Sequence, residues 1–130
     1  MSGVQKKTLN PKQYQKMIQE LDIENFELKT SSILEARMTL IGINRLEESL
    51  IEIKRGISAD MRTIKLKYLD HDYSKSSFFG LKKTKTSTKR KSLNNKCNHE
   101  LKPYNNLLYM IDDYLEQIEG VKKYIDNFKI

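Results

Sequence analysis

The amino-acid sequence predicts an all-α fold: an elongated helical hairpin or small bundle with coiled-coil packing, interrupted by a long basic flexible loop. Three observations lead there. Apolar residues recur at helical spacing over two long stretches. Cationic residues crowd into one stretch without any apolar period. With 5 Gly and 2 Pro in 130 residues, the chain is too poor in turn residues for a many-stranded sandwich or barrel. That length leaves room for one domain.

Residues 1–9 carry no apolar run and read as a flexible N-terminus, not a secretory signal. A long helical segment is expected over residues 10–74. Asn10-Pro11-Lys12-Gln13 supplies a cap, a proline at the first helical position and a Gln at the third. Tyr14, Leu21 and Leu28 follow seven residues apart, with Met17 and Ile18 beside them. Ser32 and Glu35 form a second capping pair, so a break is expected near residues 29–32. From Ile43 the apolar positions Leu46, Leu50, Ile53, Ile57, Met61, Ile64 and Tyr68 advance in steps of three and four. Gly42 and Gly56 interrupt this run where another element would need to come close.

Residues 103–130 read as an amphipathic helix opened by Pro103. Tyr104, Ile111, Ile118 and Ile125 repeat every seven residues, as do Leu107, Tyr114, Val121 and Phe128, while Asp112, Asp113, Glu116 and Glu119 fall off that seam. A stripe of this kind needs a partner helix. The expected helix-packing residues are Ile43, Leu46, Leu50, Ile53, Ile57, Ile64, Leu107, Ile111, Tyr114, Ile118, Val121 and Ile125. Their stripes would close within one chain or between chains, and partner helices in a homo-oligomer are expected.

Between the two helical stretches lies the basic loop, residues 75–102. It holds nine Lys or Arg and one acidic residue, Glu100, for a net +8 that exceeds the +7 of the whole chain. It is also rich in Ser, Thr and Asn, a composition that cannot offset the entropy of ordering. Cations along a chain neutralise successive phosphates, and neighbouring rings stack on unpaired bases. The candidate nucleic-acid-binding residues are therefore Lys75, Phe78, Phe79, Lys82, Lys83, Lys85, Lys89, Arg90, Lys91 and Lys96. The same cluster suits an anionic membrane surface, with Phe78, Phe79 and Leu81 inserting, or a nuclear localisation signal in a eukaryotic source. Ser76, Ser77, Thr84, Thr86, Ser87, Thr88 and Ser92 offer sites where phosphorylation would weaken such contacts.

Catalytic patterns are scarce. There is no P-loop, no dinucleotide-binding glycine motif, no Gly-x-Ser-x-Gly elbow and no His-Glu-x-x-His helix. Cys97-Asn98-His99 and Asp70-His71-Asp72 contain zinc-type ligands, but Cys-x-His is too tight for the usual spacing, so no metal is expected. A Cys97–His99 nucleophile would sit in the loop without a rigid pocket. The sequence thus reads as a non-enzymatic interaction protein with no catalytic residues, no cofactor and no small-molecule substrate. Its basic loop is expected to bind nucleic acid without strong sequence preference; the alternative is a protein–protein adaptor or assembly subunit acting through the helical surface. The single Cys and the absence of an 18-residue apolar run place it in an intracellular compartment, cytoplasmic or nuclear.

Overall fold

The computed structural model describes residues 8–76 and 83–127, with side chains described for 8–68 and 92–127. The element order is α1 (Pro11–Glu20), a single 3-10 turn (Ile23–Asn25), α2 (Ile33–Ser76) and α3 (Lys83–Asp126). The all-α hairpin expected from the periodicity is the observed architecture. α2 and α3 have 44 residues each, about 66 Å at 1.5 Å per residue, and pack antiparallel along their length. α1 lies across one face of the pair.

Local chemistry sets the helix starts. The Asn10 side chain accepts from the Gln13 N–H at 2.9 Å, and the Gln13 side chain accepts from the Asn10 N–H at 2.8 Å. At α2, Ser32 Oγ accepts from the Glu35 N–H at 3.1 Å, while the Glu35 carboxylate reaches past it to the N–H and hydroxyl of Ser31.

Three sequence boundaries are corrected. First, α1 stops at Glu20, so the break in the N-terminal segment runs from Leu21 to Ser32 and not only over residues 29–32. Asp22 turns the chain with φ 53°, in the left-handed region, and Leu28, far from continuing a stripe, is 49% exposed. The extended connector is instead fastened to α2: the buried Thr39 hydroxyl donates to the Lys29 carbonyl at 2.9 Å and accepts from its N–H at 3.3 Å.

Second, the loop assigned to residues 75–102 is mostly helix. α2 runs on to Ser76 and α3 begins at Lys83, with Pro103 in its interior. The reason lies in Leu93, Cys97 and Leu101, which reach Tyr104 in steps of four, four and three. Cys97 and Leu101 are buried against α2. That burial carries the helix through a stretch whose composition argues for coil. Pro103 has no N–H to offer the His99 carbonyl, but both residues are exposed and water can take that role. Third, residue 9 is not free: the Leu9 N–H donates to Asp60 Oδ2 at 3.1 Å and its carbonyl accepts from the Tyr104 hydroxyl at 2.7 Å.

The core is a single seam. Ile43, Leu50, Ile53, Ile57, Met61 and Ile64 of α2 are buried against Cys97, Leu101, Tyr104, Leu107, Ile111, Ile118 and Ile125 of α3. Leu46, Tyr114 and Val121 pack partly buried at its margin. Two ion pairs set the antiparallel register, Lys54–Asp112 and Lys122–Glu47, each 2.6 Å. The first is exposed and worth little, while the second is about three-quarters covered and better shielded from solvent.

α1 docks through Tyr14 and Ile18. The Tyr14 hydroxyl donates to Asp60, the acceptor that also holds the Leu9 N–H. The Tyr14 and Tyr104 rings meet edge to face at 6.4 Å, so one carboxylate and two phenols tie together α1, α2, α3 and the chain entering α1. Gly56 makes room for this contact, since a Cβ there would lie 3.2 Å from the Tyr14 hydroxyl. Gly42 does the same for Phe26, whose ring would be 3.0 Å away. Gly120 has nothing within 4 Å.

Gly120→Ala is expected to stabilise the protein by about 0.5–1 kcal/mol from helix propensity alone. Gly42→Ala should fall short of that gain because the Phe26 ring must move; urea unfolding at unchanged m-value measures both. Burial, then the bond to Asp60, pushes the Tyr14 phenol well above the ordinary tyrosine value of 10.0, and burial raises Tyr104 as well. A raised acid contributes its stability in full below the unfolded-state pKa and loses it as pH climbs toward the folded one. Stability should thus be level up to about pH 10 on this account and fall above it. Tyr14→Phe should cost about 1.5–3 kcal/mol at neutral pH by taking from Asp60 its phenol donor and leaving it the Leu9 N–H, and should flatten the alkaline decline.

Candidate nucleic-acid interface

Of the cations and rings singled out in the sequence, Lys96 has a described side chain, exposed on α3. By backbone, Lys75 belongs to the last turn of α2, and Lys83, Lys85, Lys89, Arg90 and Lys91 to the first turns of α3. Their side chains, and Phe78, Phe79 and Lys82 altogether, lie outside the described residues, as does Phe128 of the seam.

The helical hairpin adds cations that the sequence reading passed over. A turn of 100° per residue places Gly56 and Asp60 on the side of α2 that meets α1. Ile57, Met61 and Ile64 point toward α3. Ile51, Ser58, Arg62 and Lys65 fall on the side away from α1. There the junction of α2 and α3 carries two hollows in succession. The first, about 390 Å³, is lined by Ile51, Lys54, Arg55, Ser58, Arg62 and Leu115. The second, about 260 Å³, is lined by Lys65, Tyr68, Leu93, Asn94, Cys97, Asn98 and Leu101. Arg55 and Arg62 are seven residues apart with Ser58 between them, a spacing visible in the sequence. The near-neutral balance of residues 1–74, 12 basic against 11 acidic, conceals it.

Carboxylates mark the limits of this cationic track. Asp112 engages Lys54 at its inner end, and Glu100 accepts from the Tyr68 hydroxyl at 2.8 Å at its outer end. The bond to Glu100 raises the Tyr68 phenol above its ordinary value. Cut at the Lys54–Asp112 register, the molecule is electrically lopsided. Residues 53–112 hold 14 basic and 5 acidic side chains, net +9; residues 20–52 and 113–130 hold 6 and 12, net −6; residues 1–19, which include α1, hold the remaining 4 basic ones.

Comparison of the chain with protein-family models, with curated proteins and with solved structures finds no match. The chemistry of the site therefore rests on its own residues.

That chemistry is cationic and hydrogen-bond donating. Among the described residues no three His, Cys, Asp or Glu side chains converge to hold a metal ion. Cys97 and His99, two positions apart on one helix, face different ways: the thiol is buried in the seam and the imidazole is exposed. Burial, then the Glu100 charge, raises the Cys97 thiol, which disfavours the nucleophilic thiolate. No helix among the described residues is long and apolar enough to cross a membrane. A disulfide reagent should accordingly label Cys97 much more slowly in the native protein than in denaturant, as read by thiol absorbance. Equal rates would contradict the buried seam around it.

Proposed function

We propose that this protein is a non-enzymatic, helical nucleic-acid-binding protein that acts without strong sequence preference inside the cell. The observation that supports the reading most directly is the concentration of positive charge on the half of the hairpin toward its tip, net +9 over residues 53–112 against −6 on the other half. A polyanion gains counterion-release free energy from such a surface, and the gain is independent of base sequence.

A second reading has its own observation. Leu34, Met38 and Ile41, at helical spacing near the start of α2, are 68%, 64% and 54% exposed. They lie at the acidic end, away from the cations, and suit an apolar surface of another protein. This adaptor reading is compatible with the first, because the two surfaces occupy opposite ends.

The test is electrophoretic retardation of single- and double-stranded nucleic acid by the full chain across a salt series. The wild type is expected to bind at low salt. Changing Lys82, Lys83, Lys85, Lys89, Arg90 and Lys91 to Ala together should remove most of the binding and lower the slope of log K against log salt by about four for a single strand. Helicity by circular dichroism should hold. Absence of any shift at low salt overturns the reading. Capture by anionic vesicles with no retardation of nucleic acid would redirect it to a membrane surface.

A further inference from the structure

The uncovered junction between α2 and α3 reaches from the middle of the rod toward the cationic tip. We propose that this furrow seats the sugar–phosphate backbone of a single-stranded nucleic acid, with Arg55, Arg62 and Lys65 as its phosphate contacts. The inference rests on the nucleic-acid reading and adds to it a defined, helix-borne surface.

Three features argue for this occupant. The first is charge complementarity: the furrow presents cations from α2 and the amides of Asn94 and Asn98 from α3, all of them donors suited to phosphate oxygens. Two nearby carboxylates, Asp112 and Glu100, are each engaged by a neighbour on α2. The second is shape. The two hollows in succession, about 390 and 260 Å³, are concave seats that a flexible single strand can follow, whereas a stiff duplex would rest only on their rims. The third is continuity. From Lys54 to Tyr68 the track is about 21 Å long at 1.5 Å per residue, and it points along α2 toward Lys75 and the basic segment. A strand lying in it would pass from helix-borne cations to the lysines of the tip without crossing the acidic half.

Arg55, Arg62 and Lys65 are exposed and lie outside the buried seam, so they can be altered without opening the core. The experiment compares the full-length wild type with a furrow variant, Arg55→Gln, Arg62→Gln and Lys65→Gln. A charge-matched control, Arg37→Gln, Arg45→Gln and Lys123→Gln, carries its changes at the far end. Each is titrated against a fluorescent single-stranded homopolymer and a duplex of equal length. For the furrow variant, the slope of log K against log salt is expected to fall by about two on the single strand, with affinity reduced roughly tenfold or more near 0.1 M salt. The control should match the wild type. As a measurement that needs no charge change, a photocrosslinker on Ser58→Cys should capture the strand, and one on the exposed Asn44→Cys at the acidic end should not; brief labelling leaves the buried, slowly reacting Cys97 largely unmodified.

Equal slopes for the furrow variant and the control, with no capture at Ser58→Cys, would overturn the seating. So would an equal loss on the duplex, which would mean contact at the rims only. If the tip variant abolishes binding while the furrow variant is neutral, the furrow is excluded and the nucleic-acid reading stands. If the wild type fails to bind at low salt, it is that reading which falls.

Discussion

The structure depends on one constraint: neither long helix can keep its apolar stripe in water, so each must cover the other. Among the described residues Leu50, Ile57, Ile111 and Ile125 are the most completely buried side chains, and they are spread along the seam and not gathered at one point. The hairpin is thus held by a line of contacts, and the direction of that line fixes which residues face outward on either side. The furrow and the docking surface for α1 are both by-products of closing this seam.

The third element makes the two sides unequal. α1 is too short to be stable alone, and it gains its place by inserting Tyr14 over a glycine and onto a carboxylate. By occupying the side of Gly56 and Asp60, it leaves the opposite junction open. On this view the polar knot at Asp60 does more than hold a helix. It decides which face of the hairpin is available to a partner.

The seam was readable in the sequence because burial along a helix forces a period, and Tyr104, Ile111, Ile118 and Ile125 keep it without a substitution. The beginning of α3 was not. Among the described residues there the buried positions are Cys97 and Leu101, set among lysines, asparagines and serines, and a cysteine invites a chemical interpretation before a packing one. The end of α1 misled in the other direction: Leu21 and Leu28 prolong a seven-residue spacing that the backbone abandons at Asp22. Thr39 and Asp60 carried no sequence signal at all, since their roles arise from residues 10 and 46 or more positions away. The cations of the furrow were present in the sequence, but a charge count over a whole segment averages them against acids that the fold turns elsewhere. Sign alone is legible in one dimension; sidedness requires the helix.

The uneven placement of charge along helices some 66 Å long, at 1.5 Å per residue, gives the molecule an electric dipole, with its positive pole toward Ser76 of α2 and Lys83 of α3. In the field of a polyanion such an object experiences torque as well as attraction. On the proposed function it would swing end-on before the surfaces touched, over a range set by the Debye length, about 8 Å at physiological ionic strength. Orientation would then precede contact, and the acidic pole would be left pointing away, free to meet something else.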